Sequence, residues 1–554
     1  MLINSIFLKK ILGFLYKKNL FLSIRYLLFN FYSKTRTSNY NNSVELNKLK
    51  IPFKRQKSRV KFLICTVSGD NFLIRLFDNL FYIYLKCLSV DVKILKCGKT
   101  LKACNVSNYS WIKNIETDQS KICDLCTKGF DTEFGFFKKD IINLGDFLDK
   151  NLKIRVNKIV KKIDKKNLFL LKGVPNYINE NVKTAFIRFN GSSIYSLNEK
   201  NISIIRNYYS SALTFDFIFK QILSNNKFNR IICHHGIYIP HGIIQSIIKI
   251  KKICSYFWQP GYRKNSVVIT KNVNVHKFFP NNKNWNKYEF NKKNKNKITR
   301  YLYSRINAED NWLKFNVKNK PQINFNNKNK TYLLPLNVDW DAVVHFDKSI
   351  FKNMFDFLEF TVEYFLKNPN KNLIIRAHPA ELLGNVPSSL SVGEFLKNRF
   401  GHLPNNIKYI DSFSSKNTYQ LAKQSDVIIV YSSKLSIELS SMGMPVIVVG
   451  EAWIKYKNLT FDVTTKKEYS FYLNQNISKL KKISKKKKIL CLKFAYYYFF
   501  IKMFKLNNIQ HLNKRFPRFK SLVLSKTNNL VLEIRLINML RSMIIGEELE
   551  NKFN

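Results

Sequence analysis

Two stretches of this chain repeat one rhythm: a short apolar run, a turn, then a longer segment whose apolar residues recur every three or four positions. In the first stretch, "VKFLICTVSG" (60–69) ends in a turn, "NFLIRLFDNLFYIYLKCL" (71–88) has helical spacing, and "VDVKILKCG" (90–98) is a second run. Continuous apolar runs alternating with amphipathic helices predict parallel strands buried on both faces. Further on, "KTAFIRFNG" (183–191) reads as a strand entering a loop and "SALTFDFIFKQILSNN" (211–226) as a helix. "FNRIICHHG" (228–236) and "ICSYFWQPG" (253–261) read as strands, and between them "IPHGIIQSIIKIKK" is a helix with Pro240 in its first turn. The rhythm lapses over 281–330, which is rich in Asn and Lys and reads as linker or long surface loops. It resumes with the strands "TYLLPLNV", "NLIIRAHP", "DVIIVYSS" and "MPVIVVG", separated by helical segments such as "FKNMFDFLEFTVEYFLKN" and "KLSIELSSMG".

The expected fold class is therefore α/β, with two Rossmann-like domains facing across a cleft. The first spans 57–280 and the second 331–472, joined by the linker 281–330, with a basic amphipathic extension at 1–56 and basic helices at 473–554. A chain of 554 residues, 45% of them apolar, is long enough for two such cores and is not globally disordered.

The formal charge is +57, from 94 Lys and Arg against 37 Asp and Glu. Such a field attracts anions: nucleic acid, anionic lipid or phosphorylated substrates. Lys, Asn, Ile and Phe are over-used even where no pattern exists, so compositional bias competes as the source of the charge. No nucleic acid is expected as a partner, because the lysines lack any recognisable recognition motif. No apolar run is long enough for a membrane-spanning helix. Two segments still suggest an anionic membrane surface: "INSIFLKKILGFLYKKNLFLSIRYLLFNFY" near the start, and the lysine cluster beside an aromatic block in "KLKKISKKKKILCLKFAYYYFFIKMFKL". The nine cysteines and the lack of a secretory pattern predict a cytoplasmic protein, peripheral on the inner membrane face if those segments bind lipid.

In open parallel sheets, ligands bind beyond the carboxyl ends of the strands. Arg376, His378 and Pro379 follow the strand "NLII", and Ser432 and Ser433 follow "DVIIVY" at the start of a helix. Serine hydroxyls and helix-start N–H groups suit a phosphate, and a histidine suits its oxygens. Pro379 fixes the backbone that presents the ring. Arg376 adds charge if it faces the same edge. Glu438, one turn into the helix, is placed to accept hydrogen bonds from ribose hydroxyls. The structural alternatives are a helix cap for the serines, simple packing for the histidine, and an ion pair with Lys434 for Glu438.

"RAHPAE", "SDVIIVYSSKLSIELSSMGMPVIVVG" and "YLLPLNVDWDA" together resemble bacterial capsule polysaccharide biosynthesis proteins, which are glycosyltransferases of the two-Rossmann, GT-B type. The resemblance covers about 331–455 and weakens over 57–280; "YFWQPGYRKNSVVIT" (256–270) is similar to the segment ending that family's first domain. It implies that His378 with Pro379, and Ser432 with Ser433, hold the phosphate and ribose of a nucleotide-sugar donor, with a CMP-linked acidic sugar favoured over UDP or GDP sugars. It implies transfer of a hexosyl or acidic sugar to a lipid-linked or oligosaccharide acceptor, with no cofactor beyond the donor.

The first domain is then expected to supply the acid–base or nucleophilic group. Candidates are Asp70, which reads equally as a helix cap, and His235 within the cluster His234, His235 and His241; the cluster reads as a polar active-site loop or, with no carboxylate nearby, less readily as a metal site. Arg263, with Tyr262 and Lys264, is placed to meet donor or acceptor anions. Asp339 and Asp341 fall near the cleft by topology. No catalytic metal is expected. Cys97, Cys104, Cys123 and Cys126 raise a structural zinc reading through the C-x2-C pair, against the simpler reading of buried thiols. Competing functions are a UDP-sugar epimerase of similar architecture, and a non-catalytic export or scaffold protein.

Overall fold

The computed structural model describes residues 59–108, 119–307, 323, 325, 329–345, 349–383, 386, 388–475, 483–506 and 534–550. The basic extension at 1–56 lies outside these residues.

Two sheets form as the two rhythmic stretches predict. In the first, β1 (Lys61–Cys65), β2 (Asp91–Lys96), β3 (Ile141–Asn143), β4 (Arg230–His234), β5 (Cys254–Pro260) and β6 (Ser266–Lys271) are joined by β13 (Met503–Lys505) in the order β13-β6-β5-β4-β1-β2-β3. In the second, β7 (Lys330–Pro335), β8 (Lys371–Arg376), β9 (Ile407–Ile410), β10 (Val427–Val430), β11 (Val446–Val448) and β12 (Phe461–Asp462) take the order β12-β11-β10-β7-β8-β9. The second sheet is parallel throughout, and in the first only the pairings of β6 are antiparallel. Each sheet is buried on both faces. Along β1, Leu63 and Cys65 enter one core while Phe62 and Ile64 enter the other. Along β7, Leu333 and Tyr332 divide in the same way. Period-two alternation on a strand covered on both sides produces a continuous apolar run. Two Rossmann-like domains result.

Three expectations need correction. "KTAFIRFNG" is the end of a helix, Asn176–Asn190, closed by Gly191 at φ +78°. It buries Ile178, Val182, Ala185, Phe186 and Phe189, a helical stripe that a short window does not separate from a strand. Second, the Asn/Lys-rich stretch contains the helices Asn282–Asn286 and Lys292–Ile306. Asn281 and Asn291 are their N-caps, so residues that read as loop are helix starts; a thin stripe of Ile298, Tyr301, Leu302 and Ile306 anchors the second helix.

The third concerns the C-terminal aromatic block. The helix Lys485–Tyr496 packs on Leu435–Ser441 and Lys292–Ile306, and Tyr497, Tyr498, Phe499, Phe500 and Ile501 are all buried behind it. The chain then crosses back as β13 on the edge of the first sheet, and the helix Ile534–Ile545 covers Phe72–Cys87. The aromatics therefore cement the two domains and are not available to a membrane. Among the described residues of that segment, Ser484, Lys485, Lys486, Lys488, Ile489 and Lys505 are exposed.

Candidate functional site

The second sheet reverses direction at β7: β8 and β9 extend to one side of it, and β10 to the other. That reversal opens a crevice at the carboxyl ends of β7 and β10. Ser432 lies there, 6% exposed, and its Oγ has no hydrogen-bond partner among the described residues. The Asn337 amide, beyond β7, donates to the Ser432 carbonyl and fixes the loop. Gly450, at the end of β11, permits this fit, since a Cβ there would stand 2.4 Å from Ser432 Oγ. Ser433 Oγ accepts from Leu435 N–H at 3.3 Å. The helix that follows, Leu435–Ser441, has only seven residues, so its dipole contributes little and side chains must hold any anion.

His378 follows β8, on the other side of β7, so about two strand spacings, roughly 10 Å, separate it from the serines. Its Nδ1 accepts from Ala380 N–H at 3.0 Å, which leaves the neutral ring's proton on Nε2. Pro379 sits between the two hydrogen-bonded residues. Burial pulls the imidazole down to about 4, Asp341 opposes the shift, and Lys434 and Arg376 add to it. Lys434 is therefore near the ring, and its ammonium lies 5.3 Å from the centroid of Tyr262. Burial, reinforced by Arg305 and opposed by Glu438, pulls Lys434 down to about 8.

Three expected ligand contacts turn elsewhere. Glu438 is fully buried, bonded to Arg305 Nε at 3.0 Å, Tyr419 Oη at 2.8 Å and Lys434 Nζ at 3.0 Å. Burial alone would raise this carboxyl, but Lys434 and Arg305 outweigh it and hold it below the ordinary range. Such a carboxylate has no acceptor capacity left for ribose. Arg376 donates to the carbonyls of Asp411 and Ser414 and braces the loop after β9. Arg263 donates to the Phe499 carbonyl and stacks 4.0 Å from the Phe500 centroid, tying the first domain to the aromatic block. Its neighbour Tyr262 faces Lys434 instead.

The first sheet reverses at β1, with β2 and β3 on one side and β4 on the other. The loop after β4 brings three imidazoles together: ring centroids are 4.2 Å apart for His234 and His235, 4.8 Å for His235 and His241, and 5.7 Å for His234 and His241. His235 Nδ1 accepts from Ile237 N–H at 3.1 Å, so this ring carries its proton on Nε2 and has no lone pair to offer as a base. Asp70 is not a helix cap; Asn71 caps Phe72–Cys87. The Asp70 charge acts on Arg75 and Cys126, both in the first domain. Cys97, Cys104, Cys123 and Cys126 line one small cavity at the ends of β1 and β2. Among the described residues no group of three His, Cys, Asp or Glu stands close enough to hold a metal ion. Burial raises the Cys123 thiol to about 11 and Cys97 and Cys126 upward as well, so these are neutral thiols.

The two carboxyl edges meet. Arg188, on the helix Asn176–Asn190, bonds Asp341 at 3.2 Å and stacks over Tyr238 and Trp340. Asp339 accepts from Ser193 N–H at 2.6 Å, and Ser389 N–H donates to Gly191 at 3.0 Å. Asp341 was legible only as a residue near the cleft. Its carboxylate is 55% exposed, and its charge reaches His378 on one wall and His276, Tyr238 and Tyr262 on the other.

Comparison with known proteins adds a family. Residues 238–488 match the family described as Capsule polysaccharide biosynthesis protein. No curated protein matches the chain. Among solved structures, the chain is similar to a KpsC beta Kdo 2,4 transferase from Thermosulfurimonas dismutans at 14% identity, covering 48% of this chain and 79% of that one, TM-score 0.32. It is also similar to a UDP-GlcNAc 2-epimerase from Neisseria meningitidis at 11% identity, covering 78% and 98%, TM-score 0.22. A glycosyltransferase from Rickettsia africae matches at 13% identity, covering 79% and 94%, TM-score 0.27. Likeness at this level carries no argument about chemistry. Residues 238–488, just under half of the chain, include both the His378 and the Ser432 strand ends, and over them the chain is similar to the capsule polysaccharide biosynthesis protein family.

Proposed function

We propose that the protein is a glycosyltransferase of capsule or related surface polysaccharide synthesis, taking its sugar from a nucleotide-activated donor. The observation that carries this reading is the crevice over β7, with the unpartnered Ser432 hydroxyl on one side and the His378 imidazole on the other. Ser432 Oγ and His378 Nε2–H are donors to the donor's phosphate oxygens. Lys434 supplies positive charge close by, where exclusion of water makes it count for more than in solution. The match of residues 238–488 to the capsule polysaccharide biosynthesis protein family supports the same reading.

Transfer also needs a group at the reacting centre that takes a proton from the acceptor hydroxyl or attacks the donor. Asp341 is best placed: it is half-exposed, stands between the walls and is oriented by Arg188. It replaces Asp70 and His235 in that role. A CMP-linked acidic sugar, a lipid-linked acceptor and the inner face of the membrane belong to the same proposal; with the aromatic block buried, lipid contact falls to Lys485, Lys486, Lys488 and the exposed Ile489, and to the extension at 1–56.

The test is a thermal-shift screen with CMP, UDP and GDP on wild type and His378→Ala. At least one nucleotide is expected to stabilise the wild type, by about 2.7 kcal/mol at a hundred times its Kd, and to do so more weakly in the variant. Absence of any shift in wild type rejects the proposal. Liposome flotation with and without residues 1–35 tests the membrane element; equal binding to anionic vesicles removes that segment's role.

A further inference from the structure

We propose that the imidazole-lined space at the carboxyl edge of the first sheet, bounded by His234, His276 and His345, binds an uncharged, hydroxyl-bearing sugar ring: the terminal unit of the acceptor. This rests on the glycosyl-transfer reading for its biological role, and on its own geometry for the ligand class.

The place is the first sheet's own reversal point, between β1 and β4, facing the donor crevice of the second domain. His234 ends β4, His276 follows β6, and His345 comes from the second domain, where its ring packs 4.7 Å from Tyr238. All three rings are partly exposed. Behind them His241 is fully buried, and neither of its ring nitrogens has a hydrogen-bond partner among the described residues. His234 Nδ1, His345 Nε2 and Ser68 Oγ are likewise buried and unpartnered. Buried polar atoms in native proteins are almost always paired with protein, water or ligand, so a concentration of unpaired ones marks where a partner belongs.

The chemistry of that partner follows from the lining. Burial pulls His276 down to about 4 and His241 to about 3, and pulls His234 and His345 down as well. Each neutral imidazole presents one donor and one acceptor, which is what a sugar hydroxyl presents in return. An anion would need an uncompensated cation. Arg188 at this edge is instead matched by Asp341, and Lys277, whose charge acts on His345, is partly exposed to the solvent that screens it. A cation would need a buried carboxylate among the rings. Asp339, the nearest buried one by sequence, uses Oδ2 on Ser193 N–H and leaves Oδ1 without a partner among the described residues, but burial raises its carboxyl towards the neutral form, and Asp341 is half in solvent. The lining therefore selects against both charges and for neutral hydroxyls, and it delivers one of them to Asp341, whose charge already acts on His276.

Saturation-transfer NMR on the full chain tests this, with methyl β-galactopyranoside and methyl N-acetyl-β-glucosaminide as neutral probes and methyl glucuronide and galactosamine as charged ones. Neutral glycosides should bind saturably at millimolar concentration and more tightly than either charged probe. His276→Phe should weaken them about tenfold, the loss of one good hydrogen bond. His276→Gln, which keeps donor and acceptor, should retain most of the binding and controls for folding, together with the melting temperature. Preference for the glucuronide or the amine overturns the proposal. So does unchanged binding in His276→Phe, or no glycoside binding by a protein that still responds to a nucleotide. Neutral-glycoside binding without any nucleotide response leaves this site standing and removes the transferase reading instead.

Discussion

The residues around the crevice divide into those the fold has used and those it has left available. Ser432 Oγ has no hydrogen-bond partner among the described residues, so Ser432→Ala should leave the melting temperature nearly unchanged while reducing the nucleotide-induced shift. A large loss of stability without ligand would show that the hydroxyl has a structural partner. Glu438 is the opposite case. Replacing it with Ala leaves Arg305 and Lys434 buried without their counter-charge, and breaking one side of such a network costs about 3–5 kcal/mol. Urea unfolding of Glu438→Ala should show a loss of that size; a loss under 1 kcal/mol would return the carboxylate to the list of ligand groups. Sequence spacing made Glu438 a candidate for both roles. Arg305, some 130 positions earlier on a helix that composition conceals, decides between them.

At the scale of the element, the strand ends were legible because a strand buried on both faces has a continuous apolar run that stops where it leaves the sheet. "NLIIRAHP" and "DVIIVYSS" placed His378 and Ser432 at carboxyl ends before any coordinates did. Arg376 and Arg263 were not legible, because a guanidinium one residue from a crevice can turn either way and the carbonyls it finds belong to other elements. The Asn-capped helices over 282–306 were hidden by the residue type that starts them. The aromatic block at 497–501 was misread for a related reason: a run of Tyr and Phe beside lysines looks alike whether it faces lipid or a second domain. Its burial makes a sharp prediction. Phe499→Ala should destabilise the protein by about 3–5 kcal/mol, as large-to-small core changes do. The same variant, kept folded at low temperature, should float with anionic liposomes as well as wild type does. A mild effect on stability with a clear loss of lipid binding would restore the membrane reading.

For the whole molecule, six of the eight histidines gather where the two domains face each other: His234, His235, His241, His276, His345 and His378. Each has a folded-state pKa below the ordinary value of about 6.5. At these six sites the unfolded chain binds protons that the folded chain does not, which lowers stability as pH drops below about 6.5, against a smaller opposing contribution from buried carboxyls such as Asp78, which burial raises to about 7. The fall continues down to the folded-state values, about 4 for His276 and His378 and about 3 for His241. For one fully buried ring such as His241 the slope is about 1.4 kcal/mol per pH unit within that window. Melting temperatures from pH 7.5 to 5 should decline steadily, and His241→Phe should decline less steeply. A profile flat to pH 5, or the same slope in the variant, would mean the rings are solvated and the cleft more open than described.

The central claim is that one crevice, over the end of β7, holds a phosphate between Ser432 and His378. A crystal structure with whichever of CMP, UDP or GDP gives the largest thermal shift tests it most directly. The account predicts phosphate oxygens within hydrogen-bond distance, about 3 Å, of Ser432 Oγ and His378 Nε2. A nucleotide bound elsewhere, with those two side chains untouched, would contradict it.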